Sequence, residues 1–377
     1  MGNALGKPTK AMIHGLLTLL LLARPALAEV RIGLAAPFSG PDSVFGAELR
    51  NGAEQAAADI NAAGGVLGQK LVIVAADDRG ELKQALSVAN RFVAEKIFLV
   101  VGHFQSSLTL AASEIYANHA ILDITPSATN PQITGRESDL MFRTCGRDDQ
   151  QSAVAAAFLT ARKEKRIAII YDNTADGKKR ADDLRARLAK ASIADVLYAG
   201  IDKDADDAKL VGRIKAAAAD IVYWSGDGGD AGQLVKEMRA EGVRALFMGG
   251  DSLASDEFAL AGGGAVEGTL MTFPPDPRRR PQAAAVVREF KARKIDPEVF
   301  TLYAYAAVQV LAEAAETAGT FDPVAIAKAI HSGRPFQTVL GTLTYDSKGD
   351  VTTPDYAIYV WERGYEDQLE YDESPSQ

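Results

Sequence analysis

The chain has 377 residues and a formal net charge of −9, which argues against nucleic acid and anionic membrane surfaces as partners. Its hydrophobic content of 47% is ordinary for a globular protein, and its length suits about two domains with ample core. A single cysteine, Cys145, rules out an intramolecular disulfide, and such a lone thiol is most often a small buried hydrophobe.

In chain order, residues 1–28 come first and have the layout of a secretory signal peptide. Lys7 and Lys10 form a basic opening without an acid. Residues 12–22 are apolar apart from His14 and Thr18, and Ala26-Leu27-Ala28 puts small residues where a signal peptidase reads. The apolar run is shorter than the ~20 residues of a membrane span. Cleavage after Ala28 is expected, and no nearby cysteine offers a lipid attachment point. The product would be a soluble periplasmic protein. Without Lys7, Lys10 and Arg24 it has 38 basic against 50 acidic residues, a net charge of −12.

A β–α alternation follows. Residues 30–37 read as a strand and 45–63 as an alanine-rich helix; 70–76 is a strand and 81–96 a helix. Residues 97–101 and 120–124 are short apolar strands with a helix over 108–119 between them. The pattern restarts after Asp149 with a helix over 153–164, a strand over 166–171 and a helix over 178–189. Strands at 195–199, 220–224 and 245–249 continue it, with helices between. Continuous apolar strands belong to parallel sheets covered on both faces. Two consecutive series predict an α/β protein of two doubly wound parallel-sheet lobes. Helices over 282–294 and 300–318 come next, then strands at 339–345 and 356–362 around the turn-rich segment 346–355. The polar tail 372–377 is expected to fray.

Ligands of open α/β sheets sit beyond the carboxyl ends of the strands. Those ends carry Ser39-Gly40-Pro41 with Phe45 beyond, Gly102-His103-Phe104-Gln105-Ser106-Ser107, and Thr125-Pro126-Ser127-Ala128-Thr129. These loops are rich in hydroxyls and amides and poor in bases. Ser106 or Ser107 can cap the helix that follows, or join its amides in holding an anion such as a carboxylate. The cap is the more natural reading for Ser107. Anion binding has at least equal weight for Ser106 and Thr129.

Enzyme signatures are thin. The histidines are His14, His103, His119 and His331, and none has the spacing of a paired metal ligand. Cys145 has no histidine near it in sequence, and neither a Gly-x-Ser-x-Gly elbow nor a Walker loop occurs. No catalytic residue, metal or cofactor is expected. Asp77-Asp78 reads as a solvated turn and His103 as a packed or hydrogen-bonded histidine.

The chain resembles the Leu/Ile/Val-type branched-chain amino-acid-binding proteins, a type I periplasmic binding family of ABC importers. The resemblance rests on the loop motifs above, with Gly52-Ala53-Glu54-Gln55-Ala56, Asp59-Ile60-Asn61 and Gly64-Gly65-Val66. Ile167-Ala168-Ile169, Phe247-Met248-Gly249, Tyr305-Ala306-Ala307, Gly341-Thr342-Leu343-Thr344 and Lys348-Gly349-Asp350 follow in order. It implies a Venus-flytrap of two lobes joined by a three-segment hinge. One lobe would be residues 29–147 plus 275–356, the other 148–274 plus 357–377. It also implies a ligand carboxylate on Ser106 and Thr129, with main-chain help around Ser127 and Ala128. The ligand's ammonium would lie on Asp251, whose alternative reading is a helix cap. Phe45 and Phe300 would line the pocket, with Phe104 and Gln105 beside them. The partners implied are a small amino-acid-like solute and a membrane permease, and a monomer is expected. A sensor feeding a membrane receptor, or a binder of other small polar or aromatic solutes, is the alternative.

The sequence departs from that family in two respects. A disulfide that relatives place at the positions of Gly80 and Gln105 is absent at both ends. Two positions that hold tyrosine in the leucine-binding relatives are Asp176 and Asp227. Carboxylates there would disfavour plain Leu, Ile and Val and favour side chains with extra donors, unless both acids point to solvent.

Overall fold

The structure is a computed structural model and describes residues 1–2, 29–136, 138–201, 207–352, 356–363 and 369–373. The expected signal segment falls outside the described residues except for its first two positions.

Strands β1 (Glu29–Ala36), β2 (Lys70–Asp77), β3 (Leu99–Gly102), β4 (Leu122–Thr125) and β5 (Met141–Arg143) form one parallel sheet in the order β2-β1-β3-β4-β5. Helices α1 (Ser43–Ala62), α2 (Leu82–Ala94), α3 (Ser106–Asn118) and the single turn α4 (Gln132–Gly135) connect them. The chain then enters a second sheet through α5 (Asp148–Ala161). That sheet takes β6 (Ile167–Asp172), β7 (Leu197–Ile201), β8 (Ile221–Ser225), β9 (Leu246–Gly249) and β10 (Leu270–Phe273). Helices α6 (Ala175–Lys190), α7 (Asp207–Ala216), α8 (Gly228–Ala240) and α9 (Asp256–Gly262) accompany these strands.

The chain returns to the first lobe with α10 (Ala284–Ala292), α11 (Val299–Ala318), α12 (Pro323–Ile330) and the hairpin β11 (Phe336–Thr338) with β12 (Gly341–Leu343). It crosses once more to end on β13 (Ala357–Arg363) and β14 (Leu369–Glu373). The second sheet has the order β14-β13-β10-β9-β8-β6-β7, and its last two strands run antiparallel. It is therefore mixed rather than wholly parallel, as is common where an edge is added to a doubly wound sheet.

Burial explains the elements. Strands β3, β4 and β8 are buried at every position, so no alternation marks them in sequence. Helix α11 buries 15 of its 20 residues and lies along α1. A Cβ at Gly52 would meet the Thr301 carbonyl oxygen at 1.9 Å, so the two backbones approach as closely as only glycine permits. Arg143 is wholly buried and holds the loop after β4 from beneath. It donates to the carbonyls of Ala128 at 2.8 Å and Asn130 at 3.1 Å, and to Thr134 Oγ1 at 2.8 Å.

Several bounds differ from expectation. Helix α5 begins at Asp148, where Asp148 and Asp149 suit a helix N-terminus, instead of at residue 153. Helix α6 begins at Ala175 because Thr174 caps it by accepting from the Gly177 amide at 2.9 Å. Strands β5, β10, β11 and β14 were not expected; their three to five residues are too short to show a period. Residues 372–373 are paired with Val360 and Tyr359 rather than frayed. Asp78 is buried, with its Oδ2 2.6 Å from His103 Nδ1, and is not a solvated turn residue. His103 also lies 3.1 Å from the Tyr116 hydroxyl through Nε2, so it is the hydrogen-bonded core histidine expected. Cys145 is buried, and burial pushes its thiol pKa up to about 12, which leaves it inert.

Candidate ligand-binding site

Each sheet has a point where the chain reverses its direction of winding. In the first sheet β1 has β2 on one side and β3 on the other; in the second, β6 lies between β7 and β8. Loops at the carboxyl ends of these strands diverge and leave a crevice. The two crevices face each other across a cavity of about 320 Å³. The first lobe lines it with Asp42, Phe45, Phe104, Gln105, Ser106, Ser127, Thr129 and Phe300. The second lobe adds Thr174, Asp176, Arg180, Asp227, Asp251 and Glu257. Every expected site residue therefore lines one cavity except Ala128. That residue is buried behind it, its carbonyl held by Arg143 and its amide by Thr125 Oγ1.

The apolar wall is an aromatic trio. Phe45 and Phe104 stack with centroids 4.5 Å apart, and Phe300 meets them edge-on at 5.9 and 5.5 Å. Trp224 is enclosed in the second lobe's core and does not line the cavity.

The hydroxyls are more committed than the sequence suggests. The cap of α3 falls on Gln105 without a side-chain bond, so Ser106 and Ser107 sit inside the first turn and neither is a cap. Ser106 Oγ accepts from the Asn130 amide at 3.2 Å, which leaves its own proton to donate. Ser127 donates to the Phe104 carbonyl at 3.0 Å. Thr129 donates to Asp148 Oδ1 at 2.7 Å, so towards the cavity its oxygen can only accept. Burial raises Asp148 to about 6, opposed by Arg180 and the Thr129 bond, and it remains ionised at neutral pH.

The second lobe supplies the charges. Asp251 opens a single 3-10 turn, Asp251–Leu253, but does not cap the helix beyond it. Ser255 caps α9, accepting from the Phe258 amide at 3.3 Å. Burial raises the Asp251 pKa, opposed by Arg180 and a hydrogen bond from Gln151. Arg180 is not among the residues expected from sequence. Burial opposes its charge, yet Asp148, Asp251, Asp176 and Asp172 outweigh burial and hold it protonated. A helix beginning at Ala175 puts Arg180 one turn after Asp176 on the same face, a signal lost when the helix is begun at residue 178.

Asp176 reaches across the cleft. Its Oδ2 accepts from the Ser107 amide at 3.1 Å and its Oδ1 from Asn130 Nδ2 at 3.4 Å. Lys179 makes a second crossing, donating to Asn130 Oδ1 at 2.7 Å. Asp227 ends the loop after β8. It stands at the cap position of α8 without a side-chain cap bond, open to the cavity. The side chain is exposed within the cleft, and its enclosure by the two lobes, with Asp172 and Asp42 nearby, raises its pKa to about 7. Among the described residues no group of histidine, cysteine and acidic side chains could hold a metal ion.

Comparison with known proteins agrees with this architecture. The chain matches the periplasmic binding protein family over residues 29–366. It is 44% identical over 348 residues to the Leu/Ile/Val-binding protein homolog 1 of Brucella suis biovar 1, covering 92% of this chain and 94% of that one. It is 46% identical over 346 residues to an amino acid binding protein of Pseudomonas aeruginosa, covering 90% and 92%. A crystal structure of a leucine-binding protein from Thermotoga maritima superposes with a TM-score of 0.82 at 24% identity, covering 91% of this chain and 97% of that one. The chain belongs to the periplasmic binding proteins of the Leu/Ile/Val-binding ABC-transporter family, which bind solutes and catalyse no reaction.

Proposed function

We propose that this chain is the extracytoplasmic receptor of an ABC importer, holding one amino-acid-like solute between its lobes for delivery to a membrane permease. The observation that carries the reading is the cavity at both winding-reversal points, with a hydroxyl donor, an acidic pair and an aromatic wall inside it. A zwitterion needs just those groups. Ser106 donates to the ligand's carboxylate. Its ammonium lies between Asp251 and Thr129 Oγ, which accepts because its proton belongs to Asp148. Phe45, Phe104 and Phe300 flank the side chain. In this reading residues 29–147 with 275–356 close as one body on residues 148–274 with 357–377, in a monomer exported by residues 1–28. The Brucella and Pseudomonas relatives are named as amino-acid binders, which supports the solute class.

A thermal-shift screen of residues 29–377 over amino acids, amides, amines and small aromatic acids tests this. A ligand at ~100 times its dissociation constant stabilises by ~2.7 kcal/mol. At least one free L-α-amino acid is expected to do so. Stabilisation by aromatic acids alone, which lack the ammonium, would overturn the reading.

A further inference from the structure

The cavity's donors and acceptors are unevenly shared. Around Arg180 the acids are engaged: Asp148 accepts from Thr129, Asp251 from Gln151, and Asp176 from Ser107 and Asn130. A second set of lining groups comes from the loops after β1, β3 and β8 and consists of Asp42, Gln105 and Asp227. Gln105 Nε2 donates to Asp42 Oδ2, and both side chains lie against Gly80. That bond leaves Gln105 Oε1 buried with no hydrogen-bond partner. This set therefore brings two carboxylates and no basic side chain to the cavity wall.

An exposed carboxylate on the cavity wall loses its water when a ligand covers it, and a cationic ligand group offsets that loss. Leucine would remove that water and offer nothing in return. The aromatic trio adjoins this set in sequence: Phe104 precedes Gln105, and Phe45 lies three residues after Asp42. A methylene chain can run along Phe45 and Phe104 and carry a positive group to the acceptors, with ring faces adding cation–π attraction.

Resting on the amino-acid reading above, we infer that the ligand is an α-amino acid whose side chain ends in a primary amine or guanidinium, seated against Asp227, Asp42 and Gln105. The backbone-facing end of the ligand keeps its place on Ser106, Thr129 and Asp251. Asp176 takes no part in selecting the side chain, because its carboxylate closes the lobes.

Calorimetric titration of residues 29–377 with L-leucine, L-lysine, L-ornithine, L-arginine and cadaverine tests it, on the wild type and on Asp227→Asn and Gln105→Leu. At least one of the three cationic amino acids is expected to bind about tenfold or more tighter than leucine. Each substitution is expected to shrink that preference about tenfold, through loss of charge at Asp227 and of the Gln105 amide that holds the Asp42 carboxylate in place. The melting temperature of each unliganded variant shows whether it folds, and either variant alone suffices. Leucine binding tighter than all three would overturn the inference and leave the amino-acid reading standing. Cadaverine binding with every amino acid silent would overturn the amino-acid reading and keep the acidic subsite. Silence of all five would overturn both.

Discussion

Asp227 sits where titration and recognition meet. Enclosure between the lobes and the nearby Asp172, Asp42 and Asp230 raise its pKa to about 7, with Arg180 opposing. A cationic ligand favours the ionised form, so the bound state has the lower pKa and binding releases a proton below neutrality. Affinity for lysine or arginine is therefore expected to be level above pH ~8. Below pH ~7 it should fall by up to about tenfold per unit. Asp148, at about 6, adds a second and lower step. Calorimetry from pH 6 to 8 checks this; a flat wild-type profile, equal to that of Asp227→Asn, would contradict it. Residue identity carried much of the site, since a hydroxyl-rich loop and Asp251 stand out beside strand ends. Bonding direction was not legible. Only the fold shows that the Thr129 hydroxyl donates to Asp148, and that Asp78 is buried on His103 rather than in a solvated turn.

At the scale of elements, the close approach of α1 and α11 fixes where Phe45 and Phe300 stand, because each lies in the first turns of one of these helices. Gly52 makes that approach possible. Alanine there gains up to ~1 kcal/mol of helix propensity, but its Cβ would lie 1.9 Å from the Thr301 carbonyl oxygen, backbone that cannot rotate away. Overpacking of this kind costs ~1–3 kcal/mol or more, so the clash wins. Gly52→Ala is expected to lower stability by about 2 kcal/mol in urea unfolding. An unchanged or raised midpoint would show that the helices separate freely. Long elements such as α1 and α11 were readable from apolar spacing. Three-residue strands were not, because β5 and β11 are defined by partners distant in sequence. Helix starts were misplaced by up to five residues at α5, where acids suited to a first turn read as the end of a loop.

The whole molecule is two lobes bound together by chain crossings and by the cleft itself. Near the first and third crossings Arg147 donates to Asp350 at 2.7 Å, tying two of the crossing segments to each other. Across the cleft Asp176 and Lys179 of the second lobe meet Ser107 and Asn130 of the first, so the described arrangement is a closed one. Separation of the lobes would break these polar contacts and expose the cavity. The two-lobed topology was legible because the β–α series restarts after Asp149. The antiparallel β13–β14 edge was not, since strand direction depends on where the chain re-enters a sheet. The claim that both lobes grip one amino acid is tested most directly by calorimetric titration of wild type, Thr129→Ala and Asp251→Asn with the best ligand of the amino-acid series. One site per chain is predicted, with Thr129→Ala weakened by roughly 1.5–3 kcal/mol and Asp251→Asn at least as much, each compared at a temperature where the unliganded variant is folded. Unchanged affinity in both variants, or more than one site per chain, would contradict it.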